Sequence, residues 1–260
     1  MQGVWVTVLA SVGLSALWLG PAFATEQSKQ GQGAAVSPTS KEPTTAPDNG
    51  AGRVVYRLEF SDYAGGSVEA WLESEGFKFR EAAKHQDQLE LSIENGVLIL
   101  TAKEQLRGFV YKESLNIEKF SKIRLEWGVI KFPEGASYEQ GVRNEALMVY
   151  ISFGHDTIAS GNIILPDVPY FIGFFLCKDD KLNTPYIGRY YHDGGRFVCL
   201  GHPQPHETIV SEFDLVTAFR AYYGKSEVPP ISGINFGVDT SDAGDGGKAA
   251  AFVKKIEFLE

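Results

Sequence analysis

Pro229-Pro230-Ile231-Ser232-Gly233-Ile234-Asn235-Phe236-Gly237-Val238-Asp239 and, past an Asp/Gly/Ser loop, Ala251-Phe252-Val253-Lys254-Lys255-Ile256-Glu257-Phe258 are the stretch that decides the fold. Ile234, Phe236 and Val238 alternate with Asn235, Gly237 and Asp239. That period of two puts every second side chain on one face of a strand, so the run reads as a strand with one buried face. The closing run, apolar at Phe252, Val253, Ile256 and Phe258, reads as its successor. Two strands flanking one acidic loop point to a β architecture.

The same period recurs upstream at Leu89, Leu91 and Ile93, and at Ile123, Leu125 and Trp127. Between Leu89-Glu90-Leu91-Ser92-Ile93 and Val97-Leu98-Ile99-Leu100 stands Asn95-Gly96. These two residues tolerate the positive φ that a tight hairpin requires, so a β-hairpin is predicted there. Ala146 to Phe153 and Tyr170 to Cys177 are more continuously apolar, as central strands covered on both faces would be. One helix is expected to open at Ser211 or Glu212, to place Phe213, Val216, Phe219 and Tyr223 on one face, and to end at Gly224. The sum is an all-β fold: a mostly antiparallel β-sandwich with one or two short helices.

Composition bounds the class. With 43% hydrophobic and 12% aromatic residues, the 260-residue chain can bury a sizeable core. A net charge of -9 without a basic block argues against nucleic acid and against anionic membranes, both of which reward clustered Lys and Arg. Val4 to Gly20 is an apolar-to-neutral run followed by Pro21 and Ala22-Phe23-Ala24, the small-residue pattern of a signal-peptidase site. Residues 1–24 are therefore expected to be a signal peptide, the alternative being an uncleaved anchor at the short limit for a membrane span. Residues 25–52, rich in Gln, Ser, Thr, Pro and Gly and without an aromatic residue, read as a flexible tether. Residues 53–260 then form one domain, monomeric and periplasmic or secreted.

Arg143-Asn144-Glu145-Ala146-Leu147-Met148-Val149-Tyr150-Ile151-Ser152-Phe153, Phe219-Arg220-Ala221-Tyr222-Tyr223-Gly224, Pro229-Pro230-Ile231 and Val238-Asp239-Thr240-Ser241-Asp242 carry a resemblance. From about Arg53 onward the chain resembles the bacterial exported family catalogued as domain of unknown function 3047. The chain departs from that family's pattern around Asn144, Glu145 and Met148. The resemblance implies an exported β-sandwich and no particular reaction. More loosely, Leu58-Glu59-Phe60 and Ile256-Glu257-Phe258 are similar to the paired terminal strands of jelly-roll and galactose-binding-like carbohydrate-binding modules.

Four groups of residues bear on chemistry. Asp239, Asp242 and Asp245 lie on one Gly-rich loop that either offers oxygens to calcium or is a solvated acidic turn. Cys177 and Cys199 either close a disulfide in an oxidising compartment or remain two buried thiols. His202 and His206 have the spacing of a helical zinc site, but Pro203 and Pro205 forbid the helix. Tyr190, Tyr191 and Asp193 sit where aromatic rings and charged groups share a turn, an arrangement that serves either cross-strand packing or stacking on sugars.

Serine-hydrolase chemistry lacks its G-x-S-x-G signature, and the E-x-D-x-x-E spacing of several sandwich-fold hydrolases is absent. A glycosidase needs only two carboxyl groups brought together from distant strands, so the sequence leaves it open. The leading expectation is a non-catalytic protein that binds a carbohydrate or envelope glycan. A glycoside hydrolase or polysaccharide lyase on the same scaffold, and a structural envelope protein, stand behind it.

Overall fold

The computed structural model describes residues 52–163 and 165–260. The expected signal peptide, and the expected tether apart from Gly52, lie outside the described residues. Two sheets face one another. The first has six strands: β1 (Val54–Glu59), β3 (Leu89–Glu94), β4 (Val97–Ala102), β6 (Lys122–Lys131), β11 (Ile209–Asp214) and β13 (Ala249–Leu259). The second has seven: β2 (Lys78–Glu81), β5 (Arg107–Ile117), β7 (Glu145–Ile158), β8 (Val168–Phe175), β9 (Pro185–Tyr186), β10 (Gly195–Cys199) and β12 (Ile231–Asp239). Two short helices, α1 (Val68–Ser74) and α2 (Leu215–Tyr223), complete the described part. The fold is an all-β sandwich.

The expected hairpin joins β3 to β4, with Glu94 opposite Val97 and both turn residues at positive φ, Asn95 at 52° and Gly96 at 75°. The first sheet runs β11-β6-β13-β4-β3, and β1 pairs with the second half of β13, Leu58 opposite Ile256. The first and last strands of the domain thus close on each other. The second sheet runs β2-β5-β12-β7-β8-β10-β9, antiparallel except where β10 lies parallel to β8.

Period two sorts the side chains of the second sheet. Phe236, at 0% exposure, points into the core, where its ring lies 5.9 Å from Phe77 and 6.3 Å from Phe60. Trp127, Phe174, Phe153 and Phe258 fill the same space between the sheets. Asn235, Gly237 and Asp239 point the other way. On that outer face Met148, Phe171, Phe175 and Phe197 form a second apolar layer with Tyr138 and the two cysteines.

One boundary differs from the sequence expectation. The helix begins at Leu215, because Ser211, Glu212 and Phe213 belong to β11, paired in register with Leu125, Arg124 and Ile123 of β6. The pairing satisfies the backbone and gives the buried Trp127 Nε1–H a partner, the Ser211 hydroxyl at 3.1 Å. Asp214 caps α2, its carboxylate accepting from Thr217 N at 2.8 Å, and Gly224 ends it in the left-handed conformation.

Candidate functional site

The outer face of the second sheet is the floor of a cleft with a cavity volume of about 320 Å³. Its side chains are those that alternate with the core, except Glu145, which a register shift beside Asp239 turns to this face. From β5 come Arg107, Phe109 and Tyr111, from β12 Asn235 and Asp239, from β7 Glu145, Tyr150 and Ser152, from β8 Phe171 and from β10 Phe197. Loop residues Tyr138, Arg143, Leu165, Pro166, Arg189, Tyr190 and Tyr191 build the walls.

The floor is aromatic and continuous. Tyr150 lies 6.4 Å from Phe109, 5.5 Å from Phe171 and 6.2 Å from Phe197, and Phe171 lies 5.8 Å from Tyr191. The rings can lie low because glycines run beneath them. A Cβ on Gly237 would come within 2.7 Å of Tyr150 Cε2 and 3.2 Å of Phe109, and one on Gly173 within 3.2 Å of Tyr150. At one end Arg80 caps the Tyr111 ring at 5.2 Å, within cation–π range.

The wall that carries Tyr138 is held from behind by the buried Asp180. Its carboxylate accepts from the Ser137 hydroxyl at 2.8 Å, from Tyr138 N at 2.9 Å and from Glu139 N at 3.1 Å. This clamp lays the Tyr138 ring on Phe175, with centroids 4.4 Å apart, and delivers its hydroxyl to Glu145 Oε2 at 3.2 Å. Glu145 is 5% exposed. Burial first, then the negative charge of Asp239, holds its carboxyl well above the usual carboxylate range. Burial likewise pushes the Tyr138 and Tyr150 hydroxyls up.

Asp239 faces Glu145 across the β12–β7 ladder. Its Oδ2 accepts from Arg107 Nε at 2.7 Å, and its Oδ1 accepts from Ser241 N at 3.0 Å and from the Ser241 hydroxyl at 2.7 Å. Two buried polar atoms of cleft-lining residues, Arg143 Nε and Asn235 Oδ1, and one of their neighbour Asn144, Nδ2, have no hydrogen-bond partner among the described residues. Buried donors and acceptors in that state are costly to leave unmade.

The sequence-predicted residues divide. Tyr190 and Tyr191 line the cleft, and the Tyr191 hydroxyl ties its loop to the loop before β8 by donating to Pro166 O at 2.8 Å. Asp193 is exposed and is not part of the lining, because the turn that buries Gly194 and Gly195 carries it outward. Asp239, Asp242 and Asp245 each meet a separate cation, Arg107 at 2.7 Å, Arg189 at 4.0 Å and Lys131 at 2.6 Å. Among the described residues the structure does not gather these three carboxylates into one group. The loop is pinned instead by the buried Thr240, whose hydroxyl accepts from Leu106 N at 3.1 Å and donates to Glu104 O at 3.0 Å.

Cys177 and Cys199 form a disulfide with Cα atoms 5.9 Å apart. It bridges the end of β8 to the end of β10 and closes the segment that bears Tyr190 and Tyr191. The sequence reading did not single out Tyr138, Glu145 and Arg107 as site residues. Strand parity would assign Glu145 to the core with Leu147, Val149 and Ile151, and a register shift beside Asp239 turns it to the cleft instead; its one sequence signal is a charged residue opening an otherwise apolar run.

No protein-family model matches the chain, and no curated protein does. The resemblance to the exported family of unknown function therefore rests on the quoted residues alone. Among solved structures, the enzymatically active domain of Bacteriophage CBA120 tailspike protein 4 is 12% identical at a TM-score of 0.36 over 77% of this chain; the chain spans 22% of that protein. A family 29 carbohydrate-binding module is 12% identical at a TM-score of 0.33, over 79% of this chain and 93% of that one. The exoplasmic/lumenal domain of VIP36 in a Ca2+-bound form is 9% identical at a TM-score of 0.39, over 78% and 87%. At such scores the functions of these proteins are not carried over, and the chemistry rests on the cleft.

Proposed function

We propose that the chain is an exported protein that binds a glycan in the cleft on the outer face of its second sheet. The observation that carries this reading is the aromatic floor of Phe109, Tyr150, Phe171 and Tyr191, bordered by the polar and charged side chains of Arg107, Arg143, Arg189 and Asn235. A sugar offers apolar C–H faces to stack on rings and hydroxyl groups that both donate and accept hydrogen bonds. Arg143, Arg189 and Asn235, which line the cleft, supply donors and acceptors of that kind. A cavity of about 320 Å³ holds one or two sugar rings of a longer chain. Export is supported by the Val4 to Ala24 segment, and it suits a protein with a disulfide.

The test is a glycan array followed by calorimetry on whichever glycan is retained. Phe109→Ala and Asn235→Ala should each weaken binding by at least tenfold, since either the stacking face or the amide is removed. Retention of no glycan, or affinities unchanged in both variants, would count decisively against the cleft as the binding site.

A further inference from the structure

The cleft contains a feature that binding alone does not need: two carboxyl groups from different strands meeting at one end of the aromatic floor. We infer that the cleft also cleaves the glycan it holds, with Glu145 as proton donor and Asp239 as the facing carboxylate of a glycoside-hydrolysing centre. This rests on the glycan-binding reading above.

Geometry comes first. Glu145 and Asp239 are cross-strand partners on β7 and β12, and both line the cleft. Such partners project to the same face with Cβ atoms about 4.5 to 5.5 Å apart. Retaining glycosidases use two carboxyl groups about 5 Å apart, and cross-strand partners that share one cleft, close enough for the Asp239 charge to act on Glu145, can supply such a pair. The two groups are treated differently by their neighbours. Asp239 takes the guanidinium of Arg107 and two donors from Ser241. Glu145 is buried with the Tyr138 hydroxyl as its side-chain partner among the described residues, and burial beside Asp239 keeps its proton on at pH values where an ordinary glutamate has lost it. A pair pushed into unlike roles by its surroundings is the arrangement acid-assisted glycoside cleavage uses.

The step balances with water alone. Glu145 gives its proton to the scissile glycosidic oxygen, the C1–O bond breaks with its electron pair staying on that oxygen, and an Asp239 oxygen bonds to C1. Water then attacks C1, the ester bond breaks with its pair returning to Asp239, and the water's proton passes to the Glu145 carboxylate. Both residues end as they began.

The experiment uses the purified chain on xylan, mannan, laminarin, pectate, cello-oligosaccharides and chito-oligosaccharides, with binding and release of new reducing ends measured on each. At least one glycan that binds should be cut. E145Q, which keeps the acceptor for Tyr138, should lose turnover by about 10²- to 10⁴-fold while affinity stays within a few-fold. Turnover of the unaltered protein should fall on the alkaline side as Glu145 loses its proton. The charged and titratable groups facing it are Tyr138, Tyr150, Asp239 and Arg107. The Tyr138 hydrogen bond favours the ionised Glu145, so Y138F should move that limb to higher pH, a shift that a purely structural tyrosine would not cause. Binding without cleavage of any bound glycan would overturn the catalytic inference and leave the binding reading standing, as would full turnover by E145Q. Absence of binding to every glycan would overturn both.

Discussion

Removing the disulfide should cost the domain about as much as any single packed side chain, and the cost can be worked from its place in the chain. Cys177 and Cys199 are 22 residues apart, and the loop they close carries β9 and the wall residues Arg189, Tyr190 and Tyr191. Closing a loop of that length removes about 3.4 kcal/mol of conformational freedom from the unfolded chain at 25 °C. Both sulfur atoms sit in the apolar layer beneath the cleft, with Cys199 at 0% exposure, so C177A/C199A adds a small void worth about 1 kcal/mol. The double variant should therefore unfold with a free energy about 3 to 5 kcal/mol smaller, and melt roughly 7 to 15 °C lower for a domain of this size. Urea titration of both proteins, followed by tryptophan fluorescence, checks it. A loss below about 1 kcal/mol, or two titratable thiols in the unreduced, denatured wild-type protein, would refute the reasoning.

Three further outcomes follow from the cleft and its surroundings. G237A should reduce glycan affinity by about tenfold and cost about 1 to 3 kcal/mol of stability, because its new methyl group meets Tyr150 at 2.7 Å and must lift that ring and Phe109 from the floor; calorimetry and denaturant unfolding measure both. E145Q should gain stability relative to the wild type as pH rises from 5 to 8: the folded Glu145 holds its proton above the usual carboxylate range, the unfolded chain releases it first, and the wild type loses stability through that window while glutamine does not. Parallel stability curves for the two proteins would contradict the burial argument. Chelation should leave glycan binding unchanged, because Asp239, Asp242 and Asp245 each already face a side-chain cation; a chelator-sensitive affinity would restore the calcium reading of that loop.

What was legible beforehand was the part that local chemistry controls. Asn95-Gly96 specifies its hairpin because both residues accept positive φ. The alternation of Ile234, Phe236 and Val238 specifies a buried face because only one side of a strand can meet the core. Gly224 specifies the end of α2 for the same conformational reason. The start of α2 was misplaced because Ser211 to Phe213 are claimed by β6, a partner far away in sequence, and the hydroxyl that Trp127 needs lies in that pairing.

The same alternation that announced the core also contained the site, unread. Asn235, Gly237 and Asp239 are the other half of the period that placed Phe236 inside, and they became a cleft floor only when β5, β7, β8 and β10 were laid beside them. Sequence by itself determined strands, turns and the apolar face, since each depends on residues within a few positions of one another. Tertiary structure alone decided that Glu145 meets Asp239, that Arg107 sides with one carboxylate and Tyr138 with the other, and that Asp193 points away from the cleft. Those are contacts across strands and loops, and which residues share them is set by register and sheet order, not by local preference.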